Sequence, residues 1–229
     1  MYRYETHLHT SPVSSCAKAS VRENLEFYKS LGFAGVFITN HFLDGNLAIS
    51  RSKPYEERLD FYYSDYQEAL RIGAELGIAV FDGLEMSHGG TDFLIYGLHQ
   101  DWFLAHPELM QLPKSQQLPM LMAEGALVIQ AHPYREAHFI DHIRLFPRCV
   151  HGVEVYNACR TELENRMALH YADSYGLLHF YGTDNHLAGN RTTFAGMESE
   201  TPLVDEQDFV RRVLSGEMKP FRLDLSTPE

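Results

Sequence analysis

Metal-binding side chains recur at the ends of short β-forming runs along nearly the whole of this 229-residue chain. They stand in Glu5-Thr6-His7-Leu8-His9, in Gln130-Ala131-His132-Pro133 and in Gly182-Thr183-Asp184-Asn185-His186. Residues two apart in a strand project to one side, so alternation predicts that His7 pairs with His9, and Asp184 with His186. Imidazole and carboxylate donors together suit a divalent transition ion such as Zn, Mn or Fe. Any fold this chain adopts has to bring these distant strand ends to one place.

Between the polar ends the pattern alternates short β-rich runs with helical stretches. Ser20-Val21-Arg22-Glu23 has capping-box form and opens a helix with Val21, Leu25 and Tyr28 on its apolar side. A buried-type strand over 35–39 delivers Asn40 and His41. A longer helix is predicted over 56–76, with Leu59, Tyr62, Tyr66, Ala69 and Leu70 facing inward. A third strand over 78–81 leads into Asp82-Gly83-Leu84-Glu85, and a fourth over 92–98 is hairpin-paired with it. Further strands are expected at 126–131, 152–156, 179–181 and 193–197, with helices over 115–124 and 205–214. Thr161-Glu162-Leu163-Glu164 caps another helix, along one side of which lie Leu163, Met167 and Tyr171. The alternation implies an α/β fold with a largely parallel sheet, read as one domain over 1–229. His7, His9, His41, Glu85, His132, Asp184 and His186 all fall at strand ends, and a closed barrel gathers such ends on one rim. An open sheet separates its first and last strands unless the topology brings them back.

A formal net charge of −12 argues against a broad basic face for extended nucleic acid. It leaves a small anionic substrate open, because bound metal reverses the local potential. The apolar runs are too short to cross a bilayer, and Met1-Tyr2-Arg3-Tyr4-Glu5 has no signal-peptide core. The expected location is cytoplasmic. Cys16, Cys149 and Cys159 are scattered without CxxC spacing and suggest no disulfide framework.

Six segments in order resemble the polymerase-and-histidinol-phosphatase (PHP) family of metal-dependent phosphoesterases. They are His7-Leu8-His9-Thr10, Ile38-Thr39-Asn40-His41, Gly83-Leu84-Glu85, Ala131-His132-Pro133, Gly152-Val153-Glu154-Val155-Tyr156-Asn157 and Gly182-Thr183-Asp184-Asn185-His186. The resemblance implies a distorted seven-stranded β/α barrel, TIM-like, holding two or three divalent ions. By it, His7, His9, Glu85 and Asp184 hold a first metal, and Glu85 bridges to a second that also takes His132. His41 and His186 help hold a third. Three departures stand out. Asn40 replaces an Asp common in the family. Cys16 lies where an Asp or His ligand is usual, and a thiolate there would favour a softer ion. Three-metal members carry another histidine between Glu85 and His132, for which His88 and His99 are the obvious candidates.

The chemistry this implies is hydrolysis of a phosphate ester on a small metabolite or nucleotide by metal-activated hydroxide. Glu85, His132 and His186 are the expected catalytic groups. Glu85 bridges the ions, and a histidine free of metal (His132, His41 or His186) protonates the leaving alkoxide. Arg135 offers a guanidinium fork for phosphate. Lys18, Asn157, Arg160 and Arg191 are further substrate-binding candidates. The same donor set also activates water for attack on an amide carbonyl, and a metal-poor scaffold is the non-enzymatic alternative. A lone strand-end histidine is usually just a hydrogen-bonded residue; the two distant pairs are what favour metal here. Glu154, between Val153 and Val155, reads simply as facing a polar interior.

Overall fold

The computed structural model describes residues 1–225. The chain forms an α/β fold of two mixed five-stranded sheets and six α-helices among those residues. The first sheet contains β1 (Tyr2–Leu8), β2 (Gly35–Ile38) and β3 (Ala79–Asp82) in parallel. The second runs through β4 (Leu84–His88), β5 (Thr91–Tyr96), β6 (Leu127–Ala131), β7 (Gly152–Asn157) and β8 (Leu178–Gly182). Its first three strands are antiparallel, and β6, β7 and β8 are parallel. On the outer edge of the first sheet, β9 (Thr193–Ser199) pairs antiparallel with β1, and β10 (Lys219–Asp224) with β9.

Sequence alternation predicts one largely parallel sheet; the antiparallel β4–β5–β6 and β9–β10 segments break it. The reason is local. Gly89 and Gly90 both take positive φ and turn the chain back after one short strand, leaving no length for a crossover helix. No continuous ladder closes the strands into a barrel among the described residues. The sheets nevertheless touch at isolated parallel bridges, Leu8 with Asn185 and His41 with Glu85.

The helices are α1 (Val21–Ser30), α2 (Tyr55–Leu76), α3 (Gln100–Ala105), α4 (Lys114–Ala123), α5 (Glu162–Tyr175) and α6 (Glu206–Ser215). Both expected capping boxes form: Ser20 with Glu23 on α1, and Thr161 with Glu164 on α5. The predicted inner faces need correction. On α5, Tyr171 packs on Val153 and Val155 as expected, but Leu163 and Met167 are exposed and Ala168 and Ala172 take their place. On α2, Leu70 is exposed while Tyr63 and Ile72 are buried. No helix of the described residues is long and apolar enough to cross a membrane.

An aromatic plug fills one end of the space between the sheets. Phe209 of α6 lies 4.3 Å from the Phe37 ring centroid and 5.2 Å from that of Tyr96. Tyr4, Phe81, Phe180 and Met197 complete this cluster. With that end apolar and filled, the polar strand ends converge at the other.

Candidate metal centre

His7 lies near the end of β1, and His9 follows it. Their Nε2 atoms face each other at 3.2 Å. Two imidazole nitrogens meet this closely only if one carries a proton or both aim lone pairs at a cation. Asp184 Oδ1 lies 3.6 Å from His7 Nε2 and 3.4 Å from His9 Nε2. Glu85 enters from β4, with Oε1 3.3 Å from His7 Nε2 and 3.2 Å from His132 Nε2. Its Oε2 lies 3.5 Å from His9 Nε2 and 2.7 Å from His41 Nδ1. That last pair is misaligned for a hydrogen bond, so both buried atoms lack a partner. Three overlapping triads result: His7/His9/Asp184, His7/Glu85/His132 and His9/His41/His186, each with donor atoms within 4.8 Å of one another. Crowded nitrogen and oxygen donors, with orphaned lone pairs between them, fit divalent transition ions.

The Asp184/His186 pair converges by a route other than strand alternation. β8 ends at Gly182, and Asp184 takes the left-handed conformation at φ 61°. Its N–H donates to His7 O at 2.8 Å, and His9 N–H donates to Asn185 O at 2.9 Å. A turn docked on β1 therefore aims the carboxylate. His132 also has positive φ, at 25°. Such conformations are costly for non-glycine residues and persist where surrounding contacts impose them.

Hydrogen bonds on the far side of the rings select tautomers. His7 Nδ1–H donates to Glu154 Oε1 at 2.8 Å, leaving Nε2 to face the cluster. Glu154 Oε2 accepts from His132 N at 3.0 Å and from Asn157 Nδ2 at 2.9 Å. Glu154 thus braces the centre rather than merely lining an interior. Gly182 has to be glycine here, because a Cβ would stand 2.7 Å from His7 Cβ. His186 Nδ1–H donates to the Asp184 carbonyl at 2.9 Å.

For His9 the support runs through four residues. Asn40 Oδ1 accepts the Thr10 backbone N–H at 2.7 Å, which fixes the amide's orientation. Ser14 therefore donates its hydroxyl proton to Asn40 Oδ1, at 2.7 Å, and its oxygen accepts from His9 Nδ1 at 3.1 Å. Asn40 Nδ2 reaches Thr10 Oγ1 at 2.8 Å, and Thr10 Oγ1 donates to Asp65 Oδ2 at 2.7 Å. The network ends on a buried carboxylate, Asp65 of α2.

Electrostatics follow from this crowding. Burial alone would lower the His7 pKa, but Glu154 and then Asp184 carry it well above the usual value. Burial, with His186 and His41 nearby, holds His9 well below it. Glu85 is held well below the carboxylate range against its burial, chiefly by His41; Asp184 likewise by His7. Burial pushes Glu5 up to about 7, although it accepts from His7 N at 2.9 Å and Thr183 N at 3.0 Å. Burial would raise the Cys16 thiol, yet His186 and His41, which it faces, bring it down to about 6.

The predicted substrate-binding residues divide. Arg135 Nη1 pairs with Asp92 Oδ2 at 3.1 Å, and both line a cavity of about 270 Å³ beside His41. Arg160 Nη2 lies 3.8 Å from Asp184 Oδ2, and its buried Nε lacks a partner. Arg191 lines a separate surface cavity with Asn190 and Thr193. Lys18 is exposed, and only its backbone meets the centre, donating to His186 O at 2.8 Å. Asn157 is fully buried, and its amide donates to Glu154 and accepts from Cys159 N at 2.8 Å, which places it behind the centre as a brace for Glu154. Sequence reasoning missed Glu5, Ser14, Asp65 and Asp92. For Glu5, Asp65 and Asp92 the available signal was a carboxylate inside a strand or helix, which burial makes costly unless it is paired.

No family model matches the chain, and no curated protein matches it by sequence. Solved structures do. A two-domain protein from Bacteroides vulgatus, described as containing a predicted PHP-like metal-dependent phosphoesterase, aligns over 96% of this chain at 14% identity and TM-score 0.68. The fold is PHP-type. This chain spans 64% of that protein's length. PsfC from Pseudomonas syringae aligns over 99% of this chain and 93% of its own, at 15% identity and TM-score 0.61. An amidohydrolase from Chromobacterium violaceum, solved with bound sulfate and no metal, aligns over 95% and 97%, at 14% identity and TM-score 0.55. Likeness at this identity carries the PHP-type fold and not an activity.

Proposed function

We propose that the chain is a metal-dependent hydrolase acting on a phosphate ester of a small metabolite or nucleotide. One observation carries this reading: three donor triads overlap around Glu85 beside a cavity that presents Arg135. We read the two sheets as halves of a distorted barrel whose rim holds the triads. Two or three ions of Mn, Fe or Zn type would be held: one by His7, His9 and Asp184, one by Glu85 and His132, and a third by His41 and His186 with Cys16. Such ions lower the pKa of bound water and neutralise phosphoryl oxygens.

The chain's own groups do the rest. Glu154 and Ser14 engage the Nδ1 atoms of His7 and His9, so that both Nε2 atoms are aimed inward at the cluster. Glu85, ionised and reached by four histidines, spans the positions. Arg135 would bind and orient the phosphate from one side, and Arg160 from the other. With only two ions held, His186, whose Nδ1 is committed to a carbonyl, would carry the proton for the leaving oxygen on Nε2.

Amide hydrolysis is the second reading, favoured by the amidohydrolase among the structural relatives. The test is a rate comparison on phosphomonoesters, phosphodiesters and amides, with protein reconstituted with Mn, Fe or Zn. Phosphoester turnover abolished by chelation and restored by metal supports the proposal. Turnover of amides alone, or full activity in His7→Ala, would overturn it.

A further inference from the structure

The histidine expected between Glu85 and His132 has no counterpart at the centre. His88, on the β4–β5 hairpin, sets its ring edgewise against Phe146. His99 pairs with Asp82 at 3.4 Å, away from the triads. The side chain from this interval that does reach the centre is Asp92.

Its position follows from strand register. β5 lies between β4, which carries Glu85, and β6, whose end delivers His132. Asp92 is paired with Ser87, two residues beyond Glu85, and with Ala131, one before His132. Its carboxylate is 5% exposed, and Oδ2 lies 3.9 Å from His132 Nε2, itself 3.2 Å from Glu85 Oε1. Ligands on one transition ion, each at about 2.0–2.2 Å, stand roughly 3–4 Å apart. The same oxygen lies 3.1 Å from Arg135 Nη1, whose guanidinium is stacked 5.3 Å over the Phe139 ring.

We propose that Asp92 is a ligand of the second metal position, shared with Glu85 and His132, and that the same carboxylate anchors Arg135 at the substrate cavity. A carboxylate thus stands where a histidine was expected. The proposal rests on reading the cluster as a metal centre. The alternative is a plain buried ion pair, in which Asp92 only neutralises Arg135.

The test is metal binding, read without activity. Chelator-stripped protein is titrated with Co(II) and followed by visible absorption, with elemental analysis after gel filtration. Wild type should take up at least two equivalents. Asp92→Asn should lose one, or bind it roughly tenfold more weakly, while Asp92→His and Arg135→Gln keep it. Should Asp92→Asn fail to fold by circular dichroism, Asp92→His decides: a folded protein lacking the second equivalent overturns the proposal. Unchanged stoichiometry and affinity in Asp92→Asn overturns it too, as does an equal loss in Arg135→Gln. Wild type that binds no metal would sink the functional reading and this proposal together; an unchanged Asp92→Asn sinks the proposal alone.

Discussion

His7 and Glu154, 147 residues apart in sequence, meet at 2.8 Å between Nδ1 and Oε1 beside the donor cluster. The contact sets the imidazole's tautomer and ring plane and ties β1 to β7. Glu154→Gln should therefore retain the fold but weaken metal binding roughly 10–100-fold. Competition against a chromogenic chelator measures it; wild-type affinity in this variant would contradict the bracing role.

Ser14 leaves a distinct signature. Its hydroxyl proton is committed to Asn40, so His9 has to carry its proton on Nδ1. Long-range nitrogen–proton NMR correlations on stripped protein should find that tautomer, and Ser14→Ala should lose its dominance. A wild-type His9 protonated on Nε2 instead would refute the relay.

Arg135 is the test of substrate contact. With metals retained, Arg135→Gln should raise KM roughly tenfold or more, since a charge-assisted phosphate contact is removed. Steady-state kinetics at fixed metal loading report it. An unchanged KM would leave Arg135 as a partner of Asp92 only.

Asp82 predicts how stability varies with pH. Burial pushes its carboxyl up to about 6 from an ordinary 3.8, with His99 opposing. The folded state keeps a proton that the unfolded state has released between those two values. The group's stability contribution is thus full below the lower value and is lost as pH rises through the upper. Asp82→Asn should be more stable than wild type by roughly 1–3 kcal/mol at about pH 8. The difference should vanish in acid. Denaturant melts across pH check this, and Glu5, present in both proteins, cancels from the difference.

Phe209 predicts the weight of the apolar plug. The ring is fully buried among Phe37, Tyr96 and Phe180. Phe209→Ala should cost about 3–5 kcal/mol in chemical denaturation. A loss below about 1 kcal/mol would mean that α6 contributes little to the core.

Several parts of this molecule are legible in the order of its residues. Ser20 with Glu23 and Thr161 with Glu164 announce their helices because a cap is satisfied within four residues. The seven polar strand ends announce a common site because such side chains are rarely placed so regularly without one. Less legible are β4 and β10. The first follows β3 after a single glycine, and the second, KPFRLD, is short and carries a Pro. Both owe their strand form to a partner, β5 or β9, and not to local preference.

That His7, His9, Glu85, His132, Asp184 and His186 carry metal-binding donors at strand ends is legible in the sequence, since donor chemistry belongs to residue type and strand ends to local pattern. Their supports are not. Glu154, Asp65, Ser14 and Asp92 act through contacts of about 3 Å that local preference does not encode. Which carboxylate reaches which imidazole depends on strand register and on turns such as the one at Asp184. Those are set by packing of the whole fold, where burial forces each polar atom to find a partner.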